Sequence, residues 1–306
     1  MTEPRLCYAW CPGAAATTNA TDHTGHRMAY WQWGDPANPH VVVCVHGLTR
    51  QGRDFDVLAQ SLGKFARVIC PDVVGRGQSD WLQDPQAYQL TTYAGDMLAL
   101  LAQVHGKASI TTLDWVGTSM GGLIGMALLG TPGTPLPVPI RRLVLNDIGP
   151  TLDVAALQRI ARYLGKTGRF DTLLQAADAM RAISSSFGPH TPAQWLALSQ
   201  HMVRPLVANE PVLTLHYDPA LASAFSTFTA ESAAAGEAAL WALYDQITAQ
   251  TLLLRGAESD LLSAATAYAM AQRGPRVRLV EFAGVGHAPT FVADDQVATV
   301  VGFLQP

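Results

Sequence analysis

The chain has 306 residues, of which 49% are hydrophobic and 14% charged. That suffices for one large α/β domain with an insertion or for two ordinary domains, and it excludes disorder as the main state. A formal charge of −4 and a pI near 6.1 give no reason to invoke a nucleic-acid partner. No apolar run approaches the roughly 18 residues of a membrane-spanning helix. The N-terminal MTEPRLCYAWCPG carries Glu3 and lacks the apolar stretch of a secretory signal, so a cytoplasmic protein is expected.

In chain order, apolar runs predict strands at 26–34, 40–46, 66–71, 113–117, 141–146, 251–256 and 277–282. The middle runs are continuously apolar, as befits a parallel sheet covered on both faces. Helical periodicity is expected near 55–62, 91–104, 121–129, 238–246, 264–273 and 294–304. This alternation predicts right-handed crossovers. It breaks between Asp147 and Thr251, where amphipathic pieces at 154–164, 170–183 and 191–202 predict a helical insertion rather than a strand. Stretches 13–24, 131–139 and 230–238, rich in Ala, Thr and Gly, read as loops. Cys44 and Cys70 sit inside apolar runs, and Cys7 and Cys11 lack a second Cys/His pair at zinc spacing. All four are therefore expected as reduced thiols, with no metal.

Gly117-Thr118-Ser119-Met120-Gly121 matches G-x-S-x-G. The motif follows a predicted strand and precedes a predicted helix, the setting of a sharp turn that projects a serine hydroxyl above a sheet. A serine hydroxyl is a weak nucleophile and needs a base held by a carboxylate. His287, in the glycine-flanked loop GVGHAPT after the last strand, is the candidate base. Asp260, in RGAESD after the preceding strand, is the favoured acid; Asp147, at the end of the strand before the insertion, is the alternative, and Glu258 ranks below both. Backbone N–H groups of Leu48 and Met120 are the expected oxyanion donors.

HGLTR at 46–50, PDVVGRGQSD at 71–80, GTSMGG at 117–122, RGAESD at 255–260 and GVGHAPT at 284–290 together resemble the α/β-hydrolase superfamily. The resemblance spans the whole catalytic core. It implies a mostly parallel α/β-hydrolase sheet formed by 1–148 and 237–306, with a helical cap at 149–236 inserted after the strand ending at Asn146. It also implies an active site between cap and core, no cofactor, and structural roles for Asp72 and Arg76. Ser119 sets aside the branches with an aspartate nucleophile, and Thr118 stands where carbon–carbon bond hydrolases of this fold usually carry Asn. Arg50 could pair with a substrate carboxylate, or with Asp54 or Asp56, and Trp195 could line an apolar pocket. The expected activity is a carboxylesterase on small to medium esters. Carbon–carbon hydrolase or enol-lactonase activity is the alternative, and a non-catalytic binding protein on the same scaffold is the third reading.

Overall fold

In the computed structural model, which describes residues 3–13, 25–225 and 230–305, the chain opens with two antiparallel strands, β1 (Arg5–Pro12) and β2 (Gly25–Trp33). They lead into β3 (His40–Val45), helix α1 (Asp56–Leu62), β4 (Arg67–Pro71), α2 (Leu90–Lys107) and β5 (Thr112–Thr118). Helix α3 (Met120–Gly130) and β6 (Ile140–Asn146) follow. The segment after β6 carries α4 (Val154–Tyr163), α5 (Leu173–Ile183), α6 (Pro192–Gln200), the short hairpin β7 (Val203–Pro205) and β8 (Leu213–Leu215), and α7 (Ala230–Asp245). The chain then closes with β9 (Gln250–Gly256), α8 (Ala264–Gln272), β10 (Arg278–Phe282) and α9 (Asp294–Leu304).

Eight strands form one sheet in the order β1-β2-β4-β3-β5-β6-β9-β10, parallel from β4 onward. Alternation along the strands divides the core in two. Val41, Val43, Val45, Leu113, Trp115, Leu143 and Leu145 pack on one face. Val42, Cys44, Val116, Val144, Leu252 and Leu254 pack on the other, against Leu58 and Leu62 of α1 and Val300 and Leu304 of α9. Each such side chain contributes roughly 1.5–3 kcal/mol on burial, so a continuously apolar strand is stable only between two helical layers.

Three expectations change. β1 escapes the sequence pattern because both its faces are apolar: Ala9 and Cys11 are buried, while Leu6, Tyr8 and Trp10 are exposed. The insertion is not wholly helical, since β7 and β8 pair within it. Stretch 230–238, read as a loop, belongs to α7, which also runs through the 236/237 boundary; residues 14–24 of the first expected loop lie outside the described residues. Helices α4, α5 and α6 start on side-chain caps. Asp153 accepts from the Ala156 N–H, and Thr191 with Gln194 forms a capping box ahead of Pro192.

The four cysteines are free thiols. Cys11 meets His26 and Asp96 at the β1–β2 end of the sheet, where His26 Nε2 lies 2.9 Å from Asp96 Oδ2. Burial pushes the Cys11 thiol far up, so it is protonated and packs as a small apolar group.

Candidate active site

Every predicted strand that ends at a candidate residue delivers it to the same rim, the carboxyl edge of the parallel strands, where ligands of open α/β sheets bind. β5 ends at Thr118 and α3 begins at Met120, leaving Ser119 alone between them at φ 51° and ψ −115°. A non-glycine residue there is strained and must be held by its surroundings. A Cβ on Gly117 would lie 2.3 Å from the Gly121 carbonyl oxygen, and one on Gly121 would lie 2.0 Å from that of Val45. Only hydrogen fits at either position, which is why the motif needs both glycines. The Trp115 indole N–H donates to the Gly121 carbonyl at 3.0 Å, and the Ser119 N–H donates to Asn146 O at 3.0 Å.

His287 Nε2 stands 3.0 Å from Ser119 Oγ. The carboxylate on its other nitrogen is Asp147, with Oδ2 2.8 Å from Nδ1. This corrects the expectation for the acid. Asp260 turns outward and forms a two-point ion pair with Arg159 of α4, at 2.7 and 2.9 Å, while Glu258 is exposed. The reason lies in the sheet. β6 and β9 are parallel neighbours, so the residues after each strand reach the same place. Asp147, at φ 55°, folds its buried carboxylate under the loop after β9. There Oδ1 accepts from the Gly256 N–H at 2.9 Å and Oδ2 from the Ser259 hydroxyl at 2.6 Å. The RGAESD loop therefore supplies donors to the carboxylate rather than the carboxylate itself. Ser259 carried no sequence signal of this role.

Donors from both sides hold the histidine loop. Asn146 Nδ2 donates to Thr118 Oγ1 at 3.0 Å and to Pro289 O at 2.8 Å, tying the Ser119 turn to the loop. From the insertion, Ser186 Oγ donates to His287 O at 2.7 Å, and His190 Nε2 lies 2.8 Å from Thr290 Oγ1.

The loop after β3 lies against Ser119: a Cβ on Gly47 would meet Ser119 Cβ at 3.6 Å. Val73 N–H donates to His46 Nε2 at 2.9 Å, so the ring proton is on Nδ1, which donates to Gly47 O at 2.7 Å. Arg76, fully buried, donates from Nε to Leu48 O at 2.8 Å and from another nitrogen to Val74 O at 2.6 Å, fixing the Leu48 peptide. Met120 is the first residue of α3, so its N–H belongs to the set a helix leaves without an internal acceptor. Asp72 is also buried and accepts from the Gly52 and Gln78 N–H groups, at 2.7 and 2.8 Å. Desolvation pushes its carboxyl up to about 6.

Arg50 and Trp195 do not stand as free pocket groups. Arg50 Nε and one terminal nitrogen donate to Asp54 at 2.6 and 2.8 Å, and the same nitrogen reaches Leu198 O at 3.0 Å. Trp195 is buried behind Phe187, stacked on it at 6.2 Å, and is absent from the lining of the cavity over Ser119. Ser119, His287, Leu48 and Arg50 line that cavity from the sheet side, and Arg159, Tyr163, Lys166, Phe187 and Tyr217 line it from the insertion.

A family model described as the alpha/beta hydrolase family matches residues 42–300. The chain belongs to that family. A 3-hydroxybutyrate-oligomer hydrolase from Cupriavidus necator is 47% identical to this α/β hydrolase over 302 residues, covering 98% of each chain. The solved structure of an alpha/beta hydrolase from Novosphingobium aromaticivorans is 34% identical, covers 99% of each chain and superposes with a TM-score of 0.80. Among the described residues of this α/β hydrolase, no helix is long and apolar enough to cross a membrane.

Proposed function

We propose that this chain is a serine esterase that hydrolyses short oligomers of 3-hydroxybutyrate, with Ser119, His287 and Asp147 as its catalytic residues and 149–236 as a cap over the site. The observation that carries the chemistry is the unbroken relay of hydrogen bonds from Ser119 Oγ to His287 Nε2 at 3.0 Å and from Nδ1 to Asp147 at 2.8 Å. The relative that covers 98% of the chain supplies the substrate class. Ser119 attacks the ester carbonyl as His287 takes its proton, and Asp147 stabilises the imidazolium. The N–H groups of Leu48 and Met120 hold the oxyanion. His287 then protonates the leaving alcohol, and water attacks the acyl-enzyme by the same proton route. Engagement of Arg50 by Asp54 removes the feature that favoured carbon–carbon bond cleavage.

Incubation with the 3-hydroxybutyrate dimer should release monomer, and Ser119→Ala should lower the rate by more than about 10³-fold with the fold retained. A wild type that turns over p-nitrophenyl butyrate but leaves the dimer intact would remove this substrate class while keeping the esterase. Ser259→Ala deletes one of the three donors to Asp147 and should lower kcat about tenfold with little change in KM, read on p-nitrophenyl butyrate.

A further inference from the structure

The cavity over Ser119 is lined by three cationic side chains, Arg50, Arg159 and Lys166, and by a single carboxylate, Asp54. Arg50 is committed to Asp54 and to the Leu198 carbonyl. Arg159 is committed to Asp260, outside the lining, through both carboxylate oxygens. Lys166 is different. Its side chain is exposed to solvent, and among the described residues no carboxylate pairs with it. Its position follows from how α4 ends: Gly165, at φ +83°, turns the chain sharply, and the Lys166 N–H donates back to Tyr163 O at 3.0 Å. That turn brings Lys166 onto the same wall as Arg159 and Tyr163.

A linear 3-hydroxybutyrate oligomer carries one charge, the carboxylate at its acid end; the remainder is ester, methyl and a terminal hydroxyl. A cation in that wall with no carboxylate partner among the described residues has one charged group on such a molecule to meet. We propose that Lys166 is a specificity residue that binds the free carboxylate of the oligomer, so that the enzyme prefers ester acids to neutral esters. This rests on the substrate reading above. Arg159 shapes the same wall, but its charge is already balanced by Asp260.

The test compares the 3-hydroxybutyrate dimer with the same dimer capped as its primary amide, which keeps one scissile ester and removes the charge. In the wild type at low ionic strength, kcat/KM for the acid should exceed that for the amide about five- to tenfold, mostly through KM, as expected for a partly solvated ion pair. The ratio should fall toward one in Lys166→Met and below one in Lys166→Glu. Because a ratio is read, any general loss of activity in the variants cancels. Equal kcat/KM for acid and amide in the wild type, or a ratio unchanged in Lys166→Met, overturns the assignment while leaving the oligomer esterase intact. Failure to cleave either compound, with p-nitrophenyl butyrate still hydrolysed, overturns the substrate reading and this assignment with it.

Discussion

Asp147→Asn should lower kcat on p-nitrophenyl butyrate by about 10³–10⁴-fold, whereas Asp260→Asn should stay within about threefold of the wild type. The carboxylate of Asp147 accepts three hydrogen bonds, from the Gly256 N–H, the Ser259 hydroxyl and His287 Nδ1. An asparagine has one acceptor oxygen and one donor nitrogen. With Gly256 donating on one side and Ser259 and His287 on the other, its amide must oppose a donor whichever way it turns. Relief comes when His287 moves its proton from Nδ1 to Nε2, and that tautomer cannot accept the proton of Ser119. Size and fold are preserved, so circular dichroism should match the wild type. Asp260 loses only a half-exposed pair with Arg159, the kind of contact that contributes little. The opposite ranking, a large loss in Asp260→Asn and a small one in Asp147→Asn, would mean that the loop after β9 rearranges during turnover to bring Asp260 to the histidine.

The acid is also where sequence and structure part most instructively. Ser119 and His287 were legible because each is flanked by glycines with a backbone purpose: Gly117 and Gly121 allow backbones to touch, and in the loop before His287 Gly284 takes φ +71° while Gly286 lies close against Ser186. The acid carries no such mark. Asp147 and Asp260 both follow strands of the parallel sheet, those strands are neighbours, and spacing along the chain does not distinguish them. What decides is the left-handed backbone of Asp147 together with the donors that gather under it, and neither is written in residue types. For Arg50 the sequence offered Asp54 or Asp56 as partners, and the structure pairs it with Asp54. Lys166 was not legible, since its arrival at the cavity depends on where α4 stops and on the turn at Gly165. Trp195 shows the converse. An aromatic residue at helical spacing is a candidate for any pocket until its stacking partners are known, and here Phe187 stands between it and the site.

Replacing His46 by glutamine should weaken the fold by about 2–3 kcal/mol at neutral pH, and the deficit should shrink as the solution is made acidic. His46 is buried, and its two ring nitrogens are both used, one accepting from Val73 and one donating to Gly47. Glutamine can keep one of those bonds and leaves the other group unpaired. Loss of water around the ring, reinforced by the charges of Arg76 and Arg50 against the opposing Gly47 bond, lowers the His46 pKa to about 3. An unfolded histidine titrates near 6.5. Between those values the unfolded chain takes up a proton that the folded chain refuses, so the stability contributed by His46 is complete above pH 6.5 and declines as pH falls. Each pH unit in that window is worth about 1.4 kcal/mol, giving about 2–3 kcal/mol between pH 6.5 and 4.5. Glutamine does not titrate, so urea unfolding of the two proteins should give midpoints that converge by pH 4.5. Asp72 acts in the opposite sense, because its raised pKa favours the folded state on protonation, but it is present in both proteins and drops out of the difference. A gap that stays constant from pH 7 to 4.5 would mean that folded His46 accepts the proton, which requires the loop bearing Gly47 and Leu48 to open and release the ring to water.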